Sequence, residues 1–160
     1  MSIVLGIDPG LRRVGYAVLA RSADGISLET AGIITTSARQ RFEDRLVEIH
    51  HGVLDVIDAY HPSEMVIERL LFARNVTSAL LVAQTLGVIR LAGALRGLAA
   101  AEVGANQVKL ALSGDGHATK VQMQRLVALL MKLDEVPDPP DVADAIAIGY
   151  THLQAGAVGR

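Results

Sequence analysis

The run Ser2-Ile3-Val4-Leu5-Gly6-Ile7-Asp8-Pro9-Gly10 decides how the rest of the chain is read. Its uncharged apolar stretch suits a central strand over 3–7, and Asp8-Pro9-Gly10 is turn chemistry that ends it. Val14-Gly15-Tyr16-Ala17-Val18-Leu19-Ala20 returns as a second strand. Ala23-Asp24-Gly25 turns the chain again and 26–35 reads as a third, which makes an antiparallel meander. Then the period changes. Phe42, Leu46, Ile49, Val53, Val56, Ile57 and Tyr60 follow helical spacing and predict an amphipathic helix over 38–60, stopped by His61-Pro62. A short buried strand over 65–68 follows, then a long helix over 76–98 that Asn75 can cap. A last strand at Glu102-Val103 and helices over 107–112, 119–133 and 141–153 complete the order. This order implies an α/β domain with a mixed five-stranded sheet flanked by helices. With no repeat, low-complexity tract or linker, residues 1–160 read as one domain.

Four acids sit at the edges of these elements. Asp8 ends the first strand, and Glu68 ends the run Met65-Val66-Ile67. Asp141 and Asp144 lie three residues apart after Pro139-Pro140, on one face of the last helix. Each has a plain structural reading. Asp-Pro-Gly is ordinary turn chemistry, Arg69 could pair with Glu68, and acids suit the first turn of a helix. The plain readings weaken together. An acid closing a buried strand costs desolvation, and Asp144 precedes Ala145-Ile146-Ala147-Ile148 on a helix that must be mostly buried. Carboxylates that converge raise each other's pKa unless a cation lies between them. All-oxygen sites suit Mg²⁺ or Mn²⁺, and two such ions side by side serve in-line phosphodiester cleavage. The reading is a metal-dependent nuclease.

Composition permits this. Half of the residues are apolar (51%) and 20% are charged, which excludes wholesale disorder. The absence of cysteine excludes disulfides, thiolate metal sites and thiol nucleophiles, and agrees with a cytoplasmic location. The start of the chain lacks the basic region and cleavage site of a signal peptide. The apolar stretch 77–98 is broken by Gln84, Arg90 and Arg96, so it reads as a buried helix and no membrane partner is expected. The net charge of −2 looks unsuited to a nucleic-acid partner. Setting the four proposed ligands aside leaves 13 of the 17 acids against 15 bases, a balance of +2, so nucleic acid is admissible if the bases share a face.

Gly6-Ile7-Asp8-Pro9-Gly10, Ile67-Glu68-Arg69-Leu70-Leu71-Phe72-Ala73-Arg74-Asn75 and Asp141-Val142-Ala143-Asp144-Ala145-Ile146-Ala147 together resemble the RuvC family of bacterial Holliday-junction resolvases. The similarity continues through Gln107-Val108-Lys109 and Gly114-Asp115-Gly116-His117-Ala118-Thr119-Lys120 and spans nearly the whole chain. The resemblance implies an RNase H-like fold and a homodimer that nicks four-way DNA junctions symmetrically in recombination and repair. Two Mg²⁺ per site are implied, with Mn²⁺ as a substitute, and a branch-migration helicase complex as a partner. The four metal-binding, catalytic acids fall on Asp8, Glu68, Asp141 and Asp144. Some members carry His at the position of Asp141. The family commonly has a base-wedging aromatic three positions after the strand-end Glu. Here Leu71 holds that position and Phe72 follows it, with Leu71 expected as the exposed tip and Phe72 as partly buried.

Lys109, Lys120 and Arg74 are the candidate phosphate contacts, against the ordinary reading of solvated surface charge. Lys120 stands out because a cation at a helix start opposes the dipole. Arg12 and Arg13 are weaker candidates of the same kind, and His117 a candidate proton donor. The glycine-rich loop 113–116 lacks the Gly-Lys-Ser/Thr of a phosphate cradle, so no nucleotide cofactor is expected; it reads as flexible. The long helix is apolar on too many sides for a surface helix; burial in the monomer core is the ordinary reading, and a two-fold dimer packed through it would explain the surplus, with Gly87 and Gly93 as points of close approach. Three other readings stand beside this one. A sugar-kinase or actin-like ATPase would need a second lobe and phosphate loop. A non-cleaving relative would recognise branched nucleic acid without cutting it, and another RNase H-like nuclease would act on a different substrate.

Overall fold

The structure, a computed structural model, describes residues 2–69 and 76–158. Five strands, β1 (Ser2–Asp8), β2 (Arg13–Ser22), β3 (Gly25–Thr35), β4 (Glu64–Glu68) and β5 (Ala100–Val103), form one sheet in the order β3-β2-β1-β4-β5. β1–β2 and β2–β3 pair antiparallel, whereas β1–β4 and β4–β5 pair parallel. The helices are α1 (Phe42–Tyr60), α2 (Val76–Ala94), α3 (Ala105–Ser113), α4 (Lys120–Leu130) and α5 (Pro140–Val158). This is the expected mixed five-stranded α/β architecture.

Alternation along the strands splits the core into two layers. Leu5, Ile7, Val14, Val18, Met65 and Ile67 pack with Ile49, Val53 and Ile57 of α1 and Ile89 of α2. Val4, Ala17, Leu19, Val66 and Val103 pack on the other face with Val108 of α3, Val127 of α4 and Ile146 and Ile148 of α5. All of these side chains are nearly or wholly removed from water, which at roughly 25 cal/mol per Å² of apolar surface supplies the main drive for folding.

Several element ends differ from the sequence reading, each for a local reason. α1 begins at Phe42, because Ser37 accepts hydrogen bonds from the Gln40 and Arg39 amides and holds those residues in a turn. α2 stops at Ala94, because Gly97 takes a left-handed conformation (φ 75°). There the amides of Gly97 and Leu98 donate back to the carbonyls of Ala94 and Gly93, a Schellman closure. The loop read as flexible is tied by its own side chains. Ser113 Oγ accepts from the Asp115 amide, and Asp115 Oδ1 accepts from the His117 amide. Gly93 packs inward, where a Cβ would meet the Met65 side chain, while Gly87 faces open space. Of these two glycines, only Gly87 leaves room for an outward approach.

Candidate active site

β1 and β4 are parallel, so Asp8 and Glu68 emerge at the same edge of the sheet. Ligands of α/β sheets gather at such carboxyl edges. Alternation places both side chains on the α5 face, in step with Val4 and Val66. α5 comes unusually close to that face because glycines line its path. A Cβ on Gly6 would lie 2.5 Å from the Ala145 carbonyl oxygen, and one on Gly15 would lie 2.1 Å from that of Asp141. Gly149 answers from the helix side, its missing Cβ leaving room for Leu19 and Gly6. Gly15 is the ladder partner of Asp8. Backbone-to-backbone contact thus sets the first turns of α5, with Asp141 and Asp144, over the end of β1. Farther along, α5 is fastened by Arg21, which donates to the Leu153 carbonyl, and by His152, whose Nε2 lies 2.7 Å from Glu64 Oε2.

Asp8, Glu68 and Asp144 line one cleft of about 390 Å³ together with Lys109 of α3, Lys120 of α4 and the apolar side chains Val108 and Met123. Lys120 reaches it because Thr119 caps α4: Thr119 Oγ1 accepts from the Gln122 amide while Gln122 Oε1 accepts from the Thr119 amide. Its ammonium sits 2.8 Å from Asp144 Oδ2. Asp141 pairs instead with Arg13, whose Nε is 3.3 Å from Asp141 Oδ2. Arg69 does not serve Glu68. It turns to Glu102 at 3.2 Å, because β5 brings that acid alongside, and Arg90 joins the same carboxylate. Among the described residues no ion pair reaches Asp8 or Glu68.

The electrostatics follow. Partial burial, then the neighbouring charges of Asp144, Glu68 and Asp141, push the Asp8 carboxyl up from 3.8 to about 7, against the opposing pull of Lys120. Burial first and Asp144 second also raise Glu68. The hydrogen bond to Asp144, reinforced by the acids around it, raises Lys120. The donor set is all oxygen, it carries an excess of negative charge, and Asp8 retains a proton that a cation could replace. A hard dication fits that chemistry. Among the described residues no three acids are already gathered into a ready cage, and the two α5 carboxylates are paired with Arg13 and Lys120.

Leu71, Phe72 and Arg74, together with the cap at Asn75, lie outside the described residues. Arg12 and His117 do not line the cleft. Sequence reading left two features out, the Arg13–Asp141 pair and the glycine-lined path of α5. The acidic pair at the head of α5 signalled a need for a counter-charge, but no local pattern singles out a partner 128 positions away.

A family model described as Crossover junction endodeoxyribonuclease RuvC matches residues 4–152. The chain belongs to the RuvC family. A RuvC relative from Halothermothrix orenii is 42% identical over 158 residues, covering 99% of this chain and 96% of its own length. The structure of Thermus thermophilus RuvC in complex with Holliday junction substrate superposes with a TM-score of 0.89 at 30% identity, covering 98% of this chain and 96% of that one. Thermus thermophilus RuvC in a second structure gives the same TM-score at 33% identity. The fold is RNase H-like. Family membership carries crossover-junction endodeoxyribonuclease activity and use of a divalent metal. It displaces the kinase-like reading, since nearly the whole chain is accounted for by a junction nuclease.

Proposed function

We propose that this chain resolves four-way DNA junctions through Asp8, Glu68, Asp141 and Asp144, which hold two Mg²⁺ ions, with Mn²⁺ able to substitute. The observation that supports the reading is the meeting of Asp8, Glu68 and Asp144 in one cleft, with Asp141 near enough to help burial and the other acids push the Asp8 carboxyl to about 7. When bound, such ions lower the pKa of an attacking water and stabilise the departing 3′ oxygen. The chain's own residues supply the rest. Asp8 and Glu68, anchored at strand ends, are rigid donors, while Asp141 and Asp144 are fixed by the packing of α5. Lys109 and Lys120 line the cleft where the strand's phosphates pass, and Val108 and Met123 give it a dry wall.

Junction symmetry calls for a second copy. Leu80, Gly87 and Leu91 fall on one stripe of α2, with Leu95 just past its end; the three leucines are more than half exposed and Gly87 faces open space. We take this stripe as the homodimer seam, which sets two clefts for paired nicks. Among the described residues no helix is long and apolar enough to cross a membrane. A branch-migration helicase complex as partner belongs to the same proposal and rests on the family resemblance, whereas a cytoplasmic location rests on the cysteine-free sequence and a single 1–160 domain on the absence of repeats and linkers.

The direct test is cleavage of a synthetic four-way junction beside matched duplex, flap and RNA–DNA hybrid, with Mg²⁺ and with chelator. Paired nicks on the junction alone, requiring Mg²⁺, are expected. Preferential cutting of the hybrid would favour another RNase H-like nuclease, and tight junction binding with no cutting would favour a non-cleaving relative.

A second expectation follows from the raised carboxyls. A dication binds ionised carboxylates, so loading the site at pH 6 should release about one proton from Asp8. Release should fade by pH 9, where Asp8 is already ionised. Mg²⁺ calorimetry in buffers of different ionisation enthalpy counts these protons, and a count that does not change between pH 6 and 9 would contradict Asp8 as a ligand.

A further inference from the structure

Arg13 opens β2 two residues before Gly15, so the two share a sheet face. It is the face that α5 covers, since Gly15 lies where a Cβ would strike the Asp141 carbonyl. Gly15 in turn stands opposite Asp8 in the β1–β2 ladder. Arg13 is thereby placed beside the first turn of α5, one strand from Asp8, and its Nε meets Asp141 Oδ2 at 3.3 Å with half of the arginine side chain in water. A guanidinium stays charged at every working pH and, bound here through one contact rather than a two-pronged fork, can swing into solvent cheaply. A dication on Asp141 shares the carboxylate that Arg13 already neutralises and repels the guanidinium beside it.

Resting on the four-acid metal reading, we propose that Arg13 is a displaceable counter-ion of Asp141. It neutralises that carboxylate in the metal-free protein and is driven off by charge repulsion as the site fills. It therefore sets the divalent-ion concentration at which the nuclease becomes armed. Lys120 plays a different part. It pairs with Asp144 and also lies close enough to Asp8 to favour that group's charged form, so its removal disturbs the whole cluster. Arg13 acts on Asp141 and can be removed with the rest of the cluster left in place.

The test is Mn²⁺ titration of the protein without DNA at pH 8, followed by calorimetry, in the parent and in Arg13→Gln, Arg13→Lys and Asp8→Asn. An ion pair of this exposure holds its partner only a few-fold, and loss of the repulsion on the dication adds to that, so Arg13→Gln should bind Mn²⁺ about three- to tenfold more tightly. Arg13→Lys, which keeps the charge, should stay within about twofold of the parent. Arg13→Thr supplies the same reading should glutamine disturb the strand end. Unchanged or weaker Mn²⁺ binding by the neutral variants, with parental circular dichroism, overturns the proposal. Asp8→Asn separates the two readings. If it binds Mn²⁺ as the parent does, the four-acid site itself is wrong. If it loses Mn²⁺ while Arg13→Gln gains nothing, only the role of Arg13 falls.

Discussion

Asp8→Asn is expected to make the metal-free protein more stable while abolishing junction cleavage. The amide keeps the shape of the side chain and removes the charge that burial and three neighbouring acids oppose. Because the folded carboxyl holds its proton up to about pH 7 and the usual value is 3.8, the folded state binds more protons than the unfolded one between those limits. The stability attached to this group is thus complete below about pH 4 and is lost as pH rises toward 7. At pH 8 the parent carries the full penalty and the variant none. Discounting for solvent at the mouth of the cleft, the gain should be ~1–3 kcal/mol, a rise of several degrees in melting temperature. At pH 5, where the folded carboxyl is protonated but the unfolded one is already ionised, part of that penalty remains, so the gap between the two melting temperatures should shrink without closing. Cleavage should fall by at least about a thousandfold with Mg²⁺, since a neutral amide is a poor metal ligand, while junction affinity survives. Equal stabilisation at pH 5 and pH 8 would place the effect outside Asp8 electrostatics, and residual nicking above a few per cent would remove Asp8 from the proposed ligands.

This trade between stability and chemistry shows which parts of the molecule its sequence can disclose. Asp8 and Glu68 were legible because each closes an apolar run, and strand alternation and the parallel β1–β4 pair carry them to one edge without help from distant parts. Asp141 and Asp144 were legible from their spacing on a helix. The partners of these acids were not. Arg69 follows Glu68 directly yet turns to Glu102, because β5 lies beside β4 and the sequence between them does not announce that neighbour. Thr119 and Gln122 form a capping box that can be read locally, and it explains why Lys120 stands at the start of α4. That its ammonium then finds Asp144 depends on how α4 packs on α5. Helix ends were misread wherever a single residue governs them, as Ser37 does ahead of α1 and Gly97 does after α2. Gly6 and Gly15 looked like ordinary strand residues. Their purpose is visible only with α5 in place.

Gly15→Ala is the sharpest test of that purpose. Its Cβ would sit 2.1 Å from the Asp141 carbonyl oxygen and 2.7 Å from the carbonyl carbon, and neither atom can rotate away as a side chain could. α5 must lift or slide from β2, carrying Asp141 and then Asp144 off the end of β1. Overpacking of this kind costs ~1–3 kcal/mol or more, so the melting temperature should fall by several degrees. The catalytic loss should be disproportionate, because a displacement of about 1 Å at a metal ligand or reacting group is worth roughly a hundredfold in rate. Gly25→Ala is the control. Gly25 has φ 126° with nothing within 4 Å of the added Cβ, so alanine there is strained by the backbone alone, at the β2–β3 turn and away from the acids. It should lose a comparable or smaller amount of stability through strain of ~1 kcal/mol or more and keep parental cleavage. Both variants should be assayed on a four-way junction well below their melting temperatures, with Mn²⁺ affinity measured in parallel. Weakened Mn²⁺ binding and slow cleavage in Gly15→Ala, beside normal values in Gly25→Ala, are the expected pair. A Gly15→Ala protein that cuts like the parent would mean that the close seat of α5 on β2 does not position the acids.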